Sequence, residues 1–233
     1  MVTINTAIIL AAGLGTRMQP LSDQIPKPLI EVKGKPLIKH CIDLLSDIGF
    51  EKICINVHYK ADLMIDYLDS LNNKKIIISD EKKLLLDTGG GIKNAMYKID
   101  SHHSFVLNSD ILWSQDKKEI FSKMISMYNP NSMDSLLCLA LLPKVKGYNG
   151  IGDFYFKNQN NIARYTLKIN DPLVYMGVQI VNRELLDVFE EKVFSINKVW
   201  DYAIDCKKLN GFLYNKELLH IGTPQMVKEI NEI

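Results

Sequence analysis

The first half of the chain alternates short apolar runs with amphipathic segments, and this alternation limits the possible folds strongly. The runs 7–11, 52–58, 74–79 and 104–110 are mainly apolar, as expected of strands that are covered on both faces. Between them, apolar residues recur at helical spacing over 36–49, 61–71 and 88–99. Strands joined by crossover helices form parallel sheets with right-handed connections. The sequence therefore predicts an α/β fold with a Rossmann-like, mixed but mainly parallel sheet flanked by helices.

The pattern changes after about residue 115. A helix is predicted over 117–128, a strand over 135–143, a hairpin over 152–169 and a strand over 172–181. Further helices are expected at about 183–191, at about 198–207 and near the C-terminus. These elements indicate a more antiparallel lobe that continues the first sheet.

The composition excludes several classes of protein. The net charge of +1 offers neither a nucleic-acid face nor a polybasic membrane patch. The four cysteines form no CxxC pair and have no zinc-site spacing, so they are expected to be reduced thiols. No apolar run approaches the ~20 residues of a membrane span, and the N-terminus lacks the basic region of a signal peptide. We expect a cytoplasmic globular protein with no nucleic-acid or membrane partner.

The stretch "GLGTRM" (13–18) follows the first strand directly. It begins like a dinucleotide-binding fingerprint, but Met18 stands where that motif needs a third glycine, and no Walker A spacing is present. What remains is a loop whose backbone N–H groups are able to cradle phosphates. Arg17 and the proline-flanked Lys27 add two cations. A tight turn with two solvated cations is the alternative interpretation, and the combination favours phosphate binding.

Two further sites follow strands of the predicted sheet. "LDTGGGI" (86–92) places three glycines before a helix, where a nucleobase or an anion can approach the backbone; a flexible loop is the alternative. "VLNSD" (106–110) delivers Asp110 to the end of a buried strand, where a carboxylate is placed to hold Mg²⁺ between phosphate oxygens. His58 is expected to be a hydrogen-bonded strand-end residue and Trp200 a packing residue.

The stretch "AIILAAGLGTRMQPLSDQIPKPLIEVKGKPLI" resembles the signature of sugar-1-phosphate nucleotidyltransferases. The resemblance continues through "LDTGGGI", "VLNSDILW", "GIGDF", "YMGVQIV" and "LLHIGTP", and is greatest to the small N-acetylmuramate 1-phosphate uridylyltransferases of peptidoglycan recycling. It implies that an NTP and a sugar 1-phosphate yield an NDP-sugar and pyrophosphate, with Mg²⁺ as cofactor. It also implies one domain, 1–233, with a nucleotide-binding half (1–115), a merged sugar-binding half (116–233) and no C-terminal β-helix.

The resemblance also implies roles for individual residues. Catalysis is assigned to Arg17, Lys27 and Asp110, with Asp110 as the metal ligand. The residues expected to bind the nucleotide are Ala11, Ala12, Gly13, Gly15, Thr16, Gly89, Gly90 and Asn108. The residues expected to line the sugar site are Gly152, Asp153, Gly177 and Gln179.

One departure leaves alternatives open. His220 in "LLHIGTP" stands where many relatives carry an aspartate as second metal ligand, and imidazole suits transition metals better than Mg²⁺. Three explanations are open. In the first, Asp110 and substrate phosphates hold the ion alone; in the second, Mn²⁺ is preferred or activity is weak. In the third, the chain binds nucleotide sugars without catalysis. A guanylyltransferase of mannose or heptose 1-phosphate is the alternative enzyme. The cation that would meet the carboxylate of N-acetylmuramate is sought among Lys144, Lys146, Arg164 and Lys168, and the oligomeric state is left open.

Overall fold

The computed structural model describes residues 3–113, 117–167 and 169–232, so Lys168 lies outside the described residues. Its strands are Thr6–Leu10 (β1), Glu31–Val32 (β2), Lys35–Pro36 (β3), Lys52–Val57 (β4), Ile76–Asp80 (β5), His103–Asn108 (β6), Ile111–Trp113 (β7), Ser135–Leu141 (β8), Val145–Lys146 (β9), Phe154–Phe156 (β10), Ile162–Arg164 (β11), Leu173–Asn182 (β12), Leu209–Tyr214 (β13) and Leu218–His220 (β14). Its helices are Leu21–Gln24 (α1), Leu37–Ile48 (α2), Ala61–Ser70 (α3), Asp87–Ile99 (α4), Lys117–Met127 (α5), Arg183–Asp187 (α6), Ile196–Asp205 (α7) and Pro224–Glu232 (α8).

The largest sheet has the order β11-β10-β12-β6-β1-β4-β5, and β8 and β13 branch from β12. The pairs β6–β1, β1–β4 and β4–β5 are parallel, as the strand–helix alternation predicts. Strand β12 runs antiparallel to both β6 and β8, and β10 pairs antiparallel with β11 as the predicted hairpin. The predicted mixed α/β fold is therefore confirmed.

Helices cover both faces of this sheet. Buried apolar side chains of α2, α3 and α5 pack on one face, and those of α4, α6 and α7 pack on the other. A third cluster joins α8 to the segment around β2 and contains Met18, which follows the glycine loop. Gly49 caps the C-terminus of helix α2, and its φ of 105° is a left-handed conformation that favours glycine. No helix in the described ranges is both long enough and apolar enough to span a membrane.

Two strands near the C-terminus were not predicted. Strand β13 pairs parallel with β8, and β14 pairs antiparallel with β7. The second pairing places His220 opposite Ile111, and the Ile221 N–H donates to the Asp110 carbonyl oxygen at 2.8 Å. This pairing carries His220 to the end of β6, where Asp110 lies.

The glycines at the start of α4 allow a close approach between this helix and the segment before α7. The N–H groups of Gly89 and Gly90 both donate to the Phe194 carbonyl oxygen, at 2.9 and 3.0 Å. A Cβ atom on Gly90 would lie 2.2 Å from the Lys192 carbonyl oxygen, and one on Gly89 would lie 2.5 Å from the Phe194 ring. Since both neighbours are held in place by the fold, packing alone requires glycine at both positions.

We expect Gly90→Ala to lower the free energy of unfolding by roughly 2 kcal/mol, because the added methyl group overlaps the Lys192 backbone. Alanine elsewhere in a helix normally stabilises relative to glycine. Urea denaturation measures the change, and Lys98→Ala, at an exposed position of the same helix, is the control, expected within about 0.5 kcal/mol of the parent. A Gly90→Ala variant as stable as the parent would contradict the packing argument.

Candidate active site

The carboxyl ends of β1, β4 and β6, with the loop that follows β5, border one cleft. Two adjoining cavities of about 420 Å³ and 770 Å³ share Leu10, Arg17, Asp87, Thr88 and Asn108 in their walls. Ligands of parallel sheets bind at this edge, outside the carboxyl ends of the strands. The smaller cavity is lined by the glycine loop, and the larger by β12, α7 and the segments around β9 and β14.

The loop 11–18 is anchored at its ends and open between them. At its start, the Ala11 N–H donates to Asn56 Oδ1 at 2.7 Å. At its end, Met18 is fully buried, and its N–H donates to the Gly15 carbonyl oxygen at 2.9 Å. Within the described chain, the backbone N–H groups of residues 12–17 donate to no other group. Such a loop presents several free donors to an anion in the cleft.

Gly15 and Lys27 face each other across this loop. Gly15 has a φ of 66°, and a Cβ atom on it would lie 3.1 Å from the Cβ atom of Lys27. Both the left-handed backbone and the close approach favour glycine. Lys27 begins the single helical turn Lys27–Leu29 after Pro26, which is extended with a ψ of 145°. The predicted pairing of a glycine loop with a proline-flanked lysine is thus realised in one place.

Lys27 and His220 both contact Asp110. The distance from Lys27 Nζ to Asp110 Oδ2 is 2.6 Å, and His220 Nε2 lies 3.5 Å from the same oxygen. His220 Nδ1 lies 3.3 Å from the Gly147 carbonyl oxygen, which orients the ring. Burial alone would raise the pKa of Asp110, but hydrogen bonding by His220 and the positive charge of Lys27 hold it well below its usual range. Asp110 therefore carries a negative charge at neutral pH.

The residues at this point suit a divalent cation. Asp110 Oδ1 is buried and has no hydrogen-bond partner among the described residues, so one carboxylate oxygen is open to a hard cation. His220 Nε2 lies 3.5 Å from the other oxygen of this carboxylate, so a neutral His220 would be the second ligand of a metal ion bound there. No group of three His, Cys, Asp or Glu side chains converges in the described ranges, and substrate phosphates and water would supply the remaining ligands. This is the pattern expected of Mg²⁺ or Mn²⁺ bound together with phosphates.

A buried polar network joins the first loop to the start of α4. Asn56 Nδ2 donates to Glu81 Oε1 at 2.9 Å, while its Oδ1 accepts from the Ala11 N–H. Glu81 Oε2 accepts from the Leu86 N–H at 3.1 Å. Both side chains are only 3% exposed. Sequence analysis missed this pair, although a polar residue inside an apolar strand and an acid directly after the next strand are visible signals.

Gly89 and Gly90, which the sequence predicts to bind the nucleotide, lie outside the walls of both cavities of the cleft. Both glycines are buried, and their N–H groups donate to the Phe194 carbonyl oxygen. Asp87 and Thr88, the two residues before them, do line the cleft. A run of glycines indicates a close approach to the backbone, but the approaching group here belongs to the protein.

The structure places the other predicted nucleotide residues and the three predicted catalytic residues around the smaller cavity. Its lining includes Ala11, Ala12, Gly13, Gly15, Thr16 and Asn108 of the first set, and Arg17, Lys27 and Asp110 of the second. His58 Nδ1 is 2.8 Å from the Glu81 carbonyl oxygen, so His58 is a hydrogen-bonded strand-end residue as expected.

Two of the four residues predicted to line a sugar site lie in the wall of the larger cavity. Asp153 and Gln179 line the larger cavity, but Gly152 and Gly177 do not. Gly152 and Gly177 have φ values of 112° and 65°, and Cβ atoms there would meet Pro172 and Ile111 at 2.6 and 2.8 Å. These two glycines therefore shape the backbone beside the cavity instead of facing it.

The Asp153 and Gln179 side chains are already engaged within the protein. Asp153 accepts from the Tyr148 hydroxyl at 2.9 Å and from the Tyr175 N–H at 2.8 Å. Gln179 Oε1 accepts from the buried Trp200 Nε1 at 2.9 Å, so Trp200 packs in the wall as expected. Tyr148, which also lines the cavity, was not predicted.

Comparison with known proteins gives consistent matches. The family model described as nucleotidyl transferase matches residues 6–159. An N-acetylmuramate alpha-1-phosphate uridylyltransferase of Caulobacter vibrioides is 35% identical over 231 residues, 94% of this chain and 92% of that protein. A mannose-1-phosphate guanyltransferase of Schizosaccharomyces pombe is 28% identical and covers 94% of this chain and 61% of that protein. The crystal structure of HddC from Yersinia pseudotuberculosis complexed with GMP-PN has a TM-score of 0.77 at 25% identity, covering 98% of this chain and 99% of that one.

The Lys27–Asp110 pair generates a prediction on stability. Lys27→Met leaves the buried Asp110 carboxylate without its nearest charged partner, so we expect a loss of roughly 3 kcal/mol in the free energy of unfolding. Adding Asp110→Asn removes the unpaired charge and should restore much of that loss. Urea denaturation of both single variants and the double variant measures the coupling.

The control is Lys35→Met. Lys35 also pairs with an aspartate at 2.6 Å, but the two side chains are 42% and 34% exposed, so the loss should stay within about 1 kcal/mol. Equal losses at Lys27 and Lys35 would mean that burial does not distinguish the two pairs.

The Asn56 network generates a second prediction. Asn56→Ala leaves the Ala11 N–H and one Glu81 oxygen unpaired in a buried place, at a cost of about 1–3 kcal/mol in stability. Because Ala11 begins the loop 11–18, which we expect to bind phosphates, the affinity for nucleoside triphosphate should fall as well. Denaturation and titration calorimetry measure the two effects. Asn94→Ala is the control, since the exposed Asn94 also donates to β5, at Ser79, but outside the cleft. Unchanged affinity in Asn56→Ala would show that the loop does not depend on this anchor.

Proposed function

The chain belongs to the nucleotidyl transferase family and is a sugar-1-phosphate nucleotidyltransferase, and on this premise we propose that it transfers UMP from UTP to N-acetylmuramate 1-phosphate. The observation that carries the proposal is the meeting, in one cleft, of the open loop 12–17, Arg17, Lys27 and Asp110. No residue in this set is a protein nucleophile activated by a base, and none is needed, because one substrate phosphate supplies the attacking oxygen.

The reaction balances without any covalent enzyme intermediate. An oxygen of the sugar 1-phosphate attacks the α-phosphorus of UTP, and the bond from that phosphorus to the bridging oxygen of the β-phosphate breaks. The products are UDP-N-acetylmuramate and pyrophosphate. The free N–H groups of the loop and the Arg17 guanidinium bind the triphosphate, and Lys27 adds positive charge where two phosphorylated substrates meet. The chain thus acts by positioning and by charge neutralisation.

A divalent cation completes this set of charges. Asp110 and His220 would hold it, and when bound it polarises phosphate oxygens and offsets their mutual repulsion. Asp110 suits Mg²⁺, whereas His220 favours a softer ion, so we propose that Mg²⁺ supports activity and that Mn²⁺ replaces it well.

The similarity of nearly full length to the Caulobacter vibrioides uridylyltransferase favours UTP and N-acetylmuramate 1-phosphate as substrates. The alternative is a guanylyltransferase acting on mannose or heptose 1-phosphate, which the likeness to HddC with bound GMP-PN and to the yeast guanyltransferase favours. A protein that binds nucleotide sugars without turnover is the alternative from another class, and only His220 speaks for it.

The same proposal assigns the enzyme to the cytoplasm and its product to peptidoglycan recycling. Its substrates include a nucleoside triphosphate, and all four cysteines are free thiols, which persist in a reducing compartment.

The test is pyrophosphate release with UTP or GTP, each combined with N-acetylmuramate, N-acetylglucosamine or mannose 1-phosphate, in Mg²⁺ and then in Mn²⁺. We expect turnover with UTP and N-acetylmuramate 1-phosphate, and its loss on chelation. Asp110→Asn should reduce turnover about 10³-fold, since several kcal/mol of charge stabilisation depend on this carboxylate. Asp43→Asn, in the ion pair outside the cleft, is the matched control and should keep full activity.

Turnover only with GTP and mannose 1-phosphate would replace the substrates and keep the mechanism. Binding of UDP-N-acetylmuramate by calorimetry, without turnover under either metal, would establish the non-catalytic alternative. Full activity of Asp110→Asn would contradict the assigned role of the carboxylate.

A further inference from the structure

Arg164 ends strand β11 in the wall of the larger cavity. Its Nε donates to Asp201 Oδ1 at 2.7 Å, and its Nη2 donates to the Asn197 carbonyl oxygen at 3.0 Å. The guanidinium carbon lies 4.9 Å from the centre of the Phe154 ring and 5.5 Å from that of Trp200. Hydrogen bonds on one edge and aromatic rings at the side fix this guanidinium, while 35% of the side chain stays exposed.

Arg164 is the cation that faces the sugar half of the cleft. Apart from His220, the basic side chains that line the larger cavity, within the described ranges, are Arg17 and Arg164, and Arg17 belongs to the loop 12–17 and also lines the smaller cavity. Lys144 bonds to Asn215 and Lys146 pairs with Glu217, and neither lysine lines the cavity. Lys168 lies outside the described residues. Of the candidates that the structure describes, Arg164 alone is placed for an anionic group on the sugar.

N-acetylmuramate differs from N-acetylglucosamine by a lactyl ether that ends in a carboxylate. A guanidinium has five N–H donors in a fixed plane, and Asp201 and Asn197 use one edge of it. The remaining donors suit a second carboxylate, which guanidinium groups bind through paired hydrogen bonds. We propose that Arg164 binds the lactyl carboxylate of the acceptor and so determines its specificity. This assignment rests on the proposed function.

The negative charge of Asp201 weakens the attraction of this guanidinium for a second anion. Its carboxylate is 58% exposed, so water screens the pair and leaves Arg164 with positive charge to offer. The arrangement makes a prediction that a purely structural role does not make. Removing the negative charge of Asp201, while keeping its shape and one acceptor oxygen, should strengthen binding of an anionic acceptor.

The experiment compares N-acetylmuramate 1-phosphate with N-acetylglucosamine 1-phosphate, each with UTP. Arg164→Gln should lower kcat/KM for N-acetylmuramate 1-phosphate about 10- to 100-fold, the range of a lost hydrogen bond to a charged group. It should change kcat/KM for N-acetylglucosamine 1-phosphate and KM for UTP less than about threefold. Arg164→Lys keeps the charge without the planar donors and should fall between Arg164→Gln and the parent. Asp201→Asn should lower KM for N-acetylmuramate 1-phosphate and leave KM for N-acetylglucosamine 1-phosphate unchanged.

The outcomes separate this assignment from the proposed function. In one outcome, the parent enzyme is active on N-acetylmuramate 1-phosphate, Arg164→Gln loses equal activity on both acceptors, and Asp201→Asn has a raised KM. Arg164 would then have only the structural role of joining β11 to α7. That result overturns the assignment and keeps the proposed function. A parent enzyme inactive on N-acetylmuramate 1-phosphate but active on mannose 1-phosphate overturns both. Where N-acetylglucosamine 1-phosphate turns over too slowly, the direction of the KM change in Asp201→Asn decides.

Discussion

The ion pair between Lys27 and Asp110 holds the two sides of the cleft together. It links the turn after the glycine loop to the end of β6 over 2.6 Å, between side chains that are each 13% exposed. A carboxylate in such a place is stable only if its charge is compensated, and Lys27 and His220 supply that compensation. The same pair also places a cation and an anion where we propose that a phosphate and a metal ion meet. On that proposal, the stability of the protein and the binding of substrate depend on the same three side chains.

Open donors in the loop 12–17 are possible because its anchors lie at the two ends. A free backbone N–H normally leaves a loop without internal restraint, but this one is held by Asn56 at its start and by the buried Met18 at its end. Gly15 adds a further fixed point, since its carbonyl oxygen accepts from the Ser22 hydroxyl at 2.9 Å. The groups that anchor the loop are the Ala11 N–H, the Gly15 carbonyl oxygen and the Met18 side chain. The N–H groups of residues 12–17 therefore remain for a ligand. The loop is thus held in place while its central donors stay free, as a preorganised anion site requires.

Sequence reasoning succeeds where a local pattern and the tertiary contact agree. The buried strands of the first half, the glycine loop, Lys27 and Asp110 are all reached from short patterns, because parallel strands bring their carboxyl ends to one edge whatever the details of packing. It fails for glycines whose neighbour is distant in the chain. Gly90 has no room for a side chain because the backbone of Lys192, about a hundred residues away in the sequence, lies against it. No local pattern distinguishes that neighbour from a nucleobase. Strand β13 was missed for a related reason, since Asn210-Gly211 is a turn signal that long-range pairing with β8 overrides.

The two halves of the cleft are built on different principles, which explains why the reaction is easier to infer than the acceptor. The smaller cavity, where we propose that the nucleotide binds, offers backbone N–H groups and two cations, which suit any nucleoside triphosphate. Around the larger cavity, where we propose that the sugar binds, polar side chains are paired inside the protein: Asp153 with Tyr148, Gln179 with Trp200, and Arg164 with Asp201. A substrate group meeting one member of such a pair also meets the charge and orientation set by the other. Each of these side chains therefore acts on a ligand together with its partner, and the partners are separated by 5, 21 and 37 positions in the sequence.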